Sequence, residues 1–473
     1  MKNDTICALA TAPGGALGII RISGPEAFSI VSSICSVKCE CAEPNTIRYT
    51  HIVSPASTES GKPQTIDEVM VSVFHAPRSY TGENSVEISC HGSRYILNKV
   101  LELLVAGGCR MARPGEYTMR AYLNGKMDLS QAEAVADLIA SNNRASHQMA
   151  MSQLRGHFSS ELAKLREQLL KLTSLLELEL DFSDHEDLEF ADRNQLVELT
   201  INLDKHITRL AHSFQTGQAI KQGVPVAIVG KTNVGKSTLL NRLIHEERAI
   251  VSDIHGTTRD TIEDTIDIQG VAFRFIDTAG IRQTTDTIEQ MGIEKTYQMI
   301  EKARIVLWII DQEPLENEFK EMIHRTNDKS LIIIINKIDK TNNSSTLVNP
   351  HLNTPNYPVI KISAKWGQGL DELERAIYQA TELPALSDSD IIVTNARHYD
   401  ALVRAHESLQ RVLEGMGAVI VDGQWEMLNP SLSGDLLAED LRLAIDQLGE
   451  ITGGEITPNE VLGNIFTHFC VGK

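Results

Sequence analysis

Between residues 230 and 339 four short segments stand in the order that holds and reads a nucleoside triphosphate: GKTNVGKS (230–237), GTTRD (256–260), DTAG (277–280) and NKID (336–339). The first fits G-x-x-x-x-G-K-[ST], in which glycines let backbone N–H groups turn inward around phosphate oxygens. Gly230, Asn233, Val234, Gly235 and Thr238 are expected to shape this loop. Lys236 is expected to reach the outer phosphates and serve catalysis there, while the Ser237 hydroxyl ligates magnesium. The segment Ser252, Asp253, Ile254, His255, Gly256, Thr257 and Thr258 is a second nucleotide contact, with Thr258 as the further magnesium ligand. In Asp277, Thr278, Ala279 and Gly280 the carboxylate lies near the metal's water shell and the glycine leaves room for the terminal phosphate.

Asn336, Lys337 and Asp339 of NKID select the base. A carboxylate at Asp339 accepts two hydrogen bonds from the N1–H and exocyclic amine of guanine, which adenine cannot offer. Ser363, Ala364 and Lys365 resemble the loop that closes over the base in GTPases. Many small GTPases place a glutamine directly after DTAG to orient the attacking water, whereas this chain has Ile281. An apolar side chain cannot do that, so another group must position the water and supply positive charge.

The elements that would carry these loops are legible as hydrophobic pattern. Apolar runs at 224–229 and 331–335, and the strand-like FRFID and PVIKI, alternate with helical segments such as TLLNRL and DELERAIYQA, the pattern of a Ras-like α/β domain. Residues 1–120 mix alternating strands, EVMVSVF and SVEISC, with Gly/Pro turns and one helix-like stretch, SRYILNKVLELLVAGG, an α+β pattern. No proline occurs between Pro114 and Pro225, and Leu154, Phe158, Leu162, Leu165, Leu169, Leu172 and Leu176 recur at steps of three and four, which predicts long amphipathic helices. Residues 384–473 read as helical again. The expected fold is therefore multidomain α/β and all-α: an α+β domain at 1–120, a helical domain built from two discontinuous halves at 121–222 and 384–473, and an inserted P-loop domain at 223–383.

Composition narrows the class. The net charge of −19, from 44 basic and 63 acidic residues, opposes a stand-alone grip on a phosphate backbone. The apolar runs are too short to span a bilayer, and the start MKNDTICALA lacks a charged-then-apolar leader, so the expectation is a soluble, cytoplasmic protein. Seven scattered cysteines fit a reducing compartment, and Cys35, Cys39 and Cys41 lack a fourth partner at zinc-like spacing.

Outside the nucleotide motifs, LGIIRISGP (17–25), SYTGENSVEISCHG (79–92), ARPGEYTMRAYLNGKMDLSQAEAVADLI (112–139) and the terminal FCVGK make the chain resemble the MnmE (TrmE) family of bacterial tRNA-modification GTPases over all three domains. The resemblance implies an N-terminal domain that binds a tetrahydrofolate derivative and forms a homodimer. It also implies a partner, the FAD protein MnmG, through which FAD and NADH enter. With it the family adds an aminomethyl or carboxymethylaminomethyl group to carbon 5 of the wobble uridine of certain tRNAs.

By motif position the resemblance implies folate contacts at Arg21, Glu87, Lys126 and Lys473, and a functional thiol at Cys470. Arg21 and Glu87 also read as an ordinary structural ion pair, Lys126 as a solvated lysine capping a turn, Cys470 as a small buried thiol, and His91 as a satisfied structural histidine rather than a catalyst. The resemblance further implies potassium held by the Asn233 side chain and the backbone carbonyls of Ser252, Ile254 and Thr257, a cation that neutralises developing charge as a guanidinium would. Asn233 as a plain turn former is the alternative. Glu289 matches the family's water-positioning glutamate, with Asp286 and Glu294 as neighbours in another register; Arg259 and Arg282 are candidates for switch ordering.

Two other classes compete. An Era-like ribosome-assembly GTPase calls for a basic KH-type appendage, which the sequence lacks. A regulatory or membrane-associated GTPase without folate chemistry calls for a lipidation signal or basic amphipathic helix, also lacking.

Overall fold

Strict alternation of apolar residues builds the first sheet. Strands β1 (Ile6–Leu9), β2 (Leu17–Ser23), β3 (Thr46–Ser54), β4 (Gln64–Phe74), β5 (Ser85–His91) and β6 (Arg110–Met111) pair in the order β3-β4-β5-β2-β1-β6. Every pair is antiparallel except β1 with β6. The period of two puts Ile20, Ile22, Val69, Val71, Val73, Val86 and Ile88 on one face, buried with Phe28 and Val31 of α1 (Ala27–Ile34) and Leu97, Val100 and Leu104 of α2 (Arg94–Ala106). The opposite face carries Arg21 directly across from Glu87, and Tyr117 of α3 (Glu116–Leu123) packs with Ile6 and Ala8. The structure is a computed structural model that describes residues 4–54, 64–181, 193–246, 264–276, 289–312, 314–340, 357–381, 390–421, 424–427, 434–454, and Phe466, Phe469 and Gly472.

Helices α4 (Leu129–Ala140), α5 (Arg144–Leu154), α6 (His157–Asp181) and α7 (Arg193–Gln222) follow. Gly156, at φ +83°, separates α5 from α6. The expected stripe is realised on α6, where Phe158, Leu162, Leu165, Leu169, Leu172 and Leu176 are all buried. The helix Gly434–Thr452 packs along α6, with Leu441, Ala444, Leu448 and Ile451 fully enclosed.

The second sheet is doubly wound. Strands β7 (Val224–Val229), β8 (Asp264–Ile268), β9 (Val271–Phe275), β10 (Ile305–Ile310), β11 (Ser330–Ile335) and β12 (Val359–Lys361) lie in the order β12-β11-β10-β7-β9-β8, parallel but for β8. Both faces are covered, which is why β10 and β11 read as unbroken apolar runs. The strand order reverses around β7, so the loop after β7 opens at the switch point where such sheets bind ligands.

The chain groups into two compact units: Met1–Ala140 with Ala150–Ile207 and Asp400–Lys473, and Ser141–Met149 with Thr208–Tyr399. Two features of the fold depart from the sequence reading. The N-terminal region holds three helices rather than one; α1 is short and rich in serine and β-branched residues, and tertiary burial of Phe28, Ile30, Val31 and Ile34 overrides its weak propensity. In the C-terminal region Ala418–Val421 and Gln424–Met427 pair as an antiparallel hairpin where helix was expected.

Candidate functional site

The phosphate loop begins where β7 ends. Gly230 sits at φ +153°, and a Cβ there would collide with the Ile309 carbonyl of β10; Gly235, at φ +104°, leaves room for Asn336 Nδ2 in the same way. Asn233 is exposed and lies in the left-handed region at φ +59°, a conformation asparagine tolerates better than most residues. Helix α8 (Lys236–Glu246) starts at the loop's last residues, so Lys236, Ser237 and Thr238 stand at a helix N-terminus, where free N–H groups favour an anion. Lys236 Nζ donates to the carbonyls of Gly230 at 2.6 Å and Lys231 at 2.9 Å, and burial pushes its pKa down. An anionic phosphate there would relieve that cost.

The base-reading loops are tied to this loop by one side chain. Asn336 is buried; its Nδ2 donates to the Val234 carbonyl at 2.7 Å, while its Oδ1 accepts the Ala364 N–H at 3.0 Å. Asn336 thus fixes the phosphate loop, the NKID loop and the Ser363–Lys365 loop relative to one another. Ser363 Oγ donates to Asp339 Oδ1 at 2.6 Å, and this bond holds the Asp339 carboxyl below the usual carboxylate range. The carboxylate is solvent-facing and charged, ready to accept from guanine.

Of the remaining nucleotide calls, Ser252 to Thr258, Asp277 to Gly280, Arg259, Arg282 and Asp286 lie outside the described residues. Glu289 is the first residue of the helix Glu289–Lys302, which also contains Glu294.

Of the second set of predicted residues, Arg21 and Glu87 meet on the face of the first sheet opposite α1 and α2. Arg21 and Glu87 form an ion pair at 2.8 Å, each side chain about a quarter exposed or less (20% and 27%). Arg21 Nη1 also donates to the Gly472 carbonyl at 3.1 Å, so the C-terminal end of the chain reaches this pair. Gly472 is required there, since at φ +95° a Cβ would press on the Leu9 carbonyl. Tyr80 and Tyr117 flank the guanidinium, 5.6 Å and 5.7 Å from ring centroids. Lys126 is not joined to the pair: exposed, it donates to the Pro77 carbonyl at 2.9 Å. Cys470 and Lys473 lie outside the described residues. His91 donates through its backbone and Nδ1 to Asp67, a partnered histidine as expected.

Sequence reasoning missed Tyr80, Tyr117 and Gly472 around Arg21, and the Asp311 carboxylate 2.6 Å from Lys337 Nζ. The tyrosines lay inside quoted motifs; Asp311 carried no signal beyond following an apolar strand. Cys35 and Cys39 are buried and Cys41 exposed.

Strand order, phosphate loop and base-reading loops together define a P-loop GTPase that reads guanine. The family profile described as "GTP-binding protein TrmE N-terminus" matches residues 5–126, and that described as "MnmE helical domain" matches residues 129–470. The tRNA modification GTPase MnmE of Bacteroides thetaiotaomicron is 52% identical over 489 residues, covering 100% of both chains. That of Phocaeicola vulgatus is 51% identical, covering 100% of this chain and 99% of its own. That of Christiangramia forsetii is 49% identical, with the same coverage. The chain belongs to the MnmE family of tRNA modification GTPases.

Proposed function

We propose that this protein couples potassium-dependent GTP hydrolysis to one-carbon transfer from a tetrahydrofolate derivative, modifying carbon 5 of the wobble uridine of certain tRNAs together with an MnmG-type FAD protein in the cytoplasm. The single observation that carries the folate half is the Arg21–Glu87 pair between two tyrosines, with the chain's C-terminal end bonded to it. A pterin is flat and presents amine and N–H donors beside a carbonyl. A carboxylate, a guanidinium and the exposed Tyr80 ring on one surface match that chemistry, with the buried Tyr117 backing the guanidinium. Tetrahydrofolate would supply the carbon at the oxidation level the modification needs, with Arg21, Glu87 and the terminal Lys473 holding it and Lys126 at the margin.

In the nucleotide site, magnesium would be held by Ser237 and Thr258 and would neutralise phosphate charge. Potassium would be held by Asn233 and the Ser252, Ile254 and Thr257 carbonyls, an all-oxygen donor set suited to a hard cation. Lys236 binds the outer phosphates, Asp339 orients the base, and Glu289 positions the attacking water that Ile281 cannot. The reading divides the chain into a folate-binding and dimerising domain at 1–120, a helical domain at 121–222 and 384–473, and the inserted domain at 223–383. Cys470 is a reactive thiol candidate of the first site.

The test is a titration of 5-formyltetrahydrofolate into the full-length protein, nucleotide-free, by calorimetry. Binding that Arg21→Ala and Glu87→Ala each weaken is the expected result. Absence of binding to the unmutated protein would leave a tRNA modification GTPase without folate chemistry.

A further inference from the structure

Each base-reading loop carries a lysine, and each lysine is held by a residue that belongs to no nucleotide motif. Lys337 lies in the left-handed region at φ +67°, immediately after the immobilised Asn336. Its ammonium meets Asp311 Oδ2 at 2.6 Å, and both side chains are a little under a third exposed (31% and 28%). Asp311 is the first residue after β10, so its carboxylate is delivered by a rigid strand. On the other loop, Lys365 Nζ sits 5.0 Å from the ring centroid of Trp366. Trp366 is 61% exposed, although its backbone N–H donates to the Ser363 carbonyl at 3.1 Å within a tight turn.

A free lysine samples many rotamers, and fixing its stem beside a ligand costs conformational entropy at the moment of binding. Anchoring the ammonium beforehand removes most of that cost while leaving the apolar stem available. A guanine whose edge is bound by Asp339 would meet the two loops that Asn336 and Ser363 join, the same loops that carry Lys337 and Lys365. We propose that Asp311 and Trp366 are positioning residues of the guanine site, Asp311 holding the Lys337 stem and Trp366 the Lys365 stem alongside the base.

The experiment measures release of a fluorescent N-methylanthraniloyl GDP and steady-state GTP hydrolysis on the full-length protein. Asp311→Asn should accelerate release about fivefold to tenfold and raise KM by a similar factor, well beyond any change in kcat, with Asp311→Glu restoring most of the loss. In a Lys337→Met background Asp311→Asn should add nothing further, since the residue acts only through that ammonium. Trp366→Ala should behave likewise, rescued by Trp366→Phe and silent in a Lys365→Met background. Unaltered release in a variant overturns its arm, as does an effect that persists undiminished after the lysine is removed, which marks a general structural role.

Discussion

Asp339 is the residue on which base choice turns, and its carboxyl is held below the usual range chiefly by the Ser363 hydroxyl, with Lys340 and Lys365 adding to it. Replacing the carboxylate by an amide, Asp339→Asn, removes two charge-assisted bonds. GTP affinity should fall about a hundredfold while xanthosine triphosphate binding improves, read by competition against a fluorescent guanine nucleotide. Because the Ser363 hydroxyl lowers the Asp339 pKa, guanine binding should survive acidification through the usual carboxylate range. In Ser363→Ala the carboxyl returns toward its ordinary value, and the acid loss of binding moves to higher pH. Asn233 raises a different question, because its left-handed backbone explains an asparagine without any ion. Glycine meets the backbone requirement and lacks the side-chain oxygen, so the two roles separate. If potassium is held there, Asn233→Gly and Asn233→Ala should both lose the stimulation of hydrolysis seen when sodium is exchanged for potassium. A glycine variant that keeps the stimulation would assign Asn233 to the turn alone.

Among the elements, α3 is bound to the sheet by a partly buried charge cluster that periodicity could not announce. Arg120 of α3 reaches Asp4 at 2.8 Å, Glu116 at 3.1 Å and Glu83 at 3.2 Å, and Arg110 of β6 closes the group onto Asp4 and Glu116. Burial raises the carboxyls of Asp4 and Glu116, but Arg110 and Arg120, joined at Glu116 by the Arg113 backbone N–H, outweigh it and hold both below their ordinary values. A depressed carboxyl stabilises the fold above its unfolded pKa near 4, and the contribution fades as pH falls toward the folded value. Arg120→Met should weaken the docking of α3 by about 3 kcal/mol at neutral pH, because Glu116 is left buried with less compensation. Amide exchange of β1 and α3 followed by mass spectrometry measures this, and the unmutated protein should lose its advantage below about pH 4. Unchanged protection in the variant would show the cluster to be dispensable. The doubly wound sheet, both phosphate and base loops and the α6 stripe were legible in the sequence, because burial and backbone demands there coincide with local pattern. Helix α1 was hidden by its poor propensity. The hairpin at 418–427 was signalled by Asp422-Gly423 after AVIV, a turn cue outweighed by helical segments on either side. The role of Asn336 as the tie between three loops, and the approach of Gly472 to Arg21, depend on contacts across 28, 102 and 451 residues, which no local window contains.

Across the whole molecule, the nucleotide loops belong to one compact unit and the Arg21–Glu87 pair to the other. Among the described residues the chain passes from unit to unit at four points, three of them inside continuous helices, at 149–150 in α5, 207–208 in α7 and 399–400 in the helix Ala396–Gly415, and the fourth at 140–141, between α4 and α5. A helix transmits displacement along its axis where a glycine-rich linker would absorb it. Hydrolysis that reorders the segments around the phosphates therefore has a stiff covalent route to the other unit, provided the two nucleotide states differ in structure. Glu289 opens the helix that follows the DTAG segment and is proposed to act on the attacking water alone. Glu289→Ala should leave GTP affinity nearly intact and slow turnover by on the order of 10². If turnover rather than binding drives the modification, the same variant should lose wobble-uridine modification while still binding 5-formyltetrahydrofolate as the unmutated protein does. The measurement is mass spectrometry of tRNA nucleosides from cells carrying the variant as the only copy, beside folate titration of the purified protein. Modified uridine accumulating at the normal rate would show that nucleotide occupancy is enough, and the proposed link between hydrolysis and the unit that carries the Arg21–Glu87 pair would have to be abandoned.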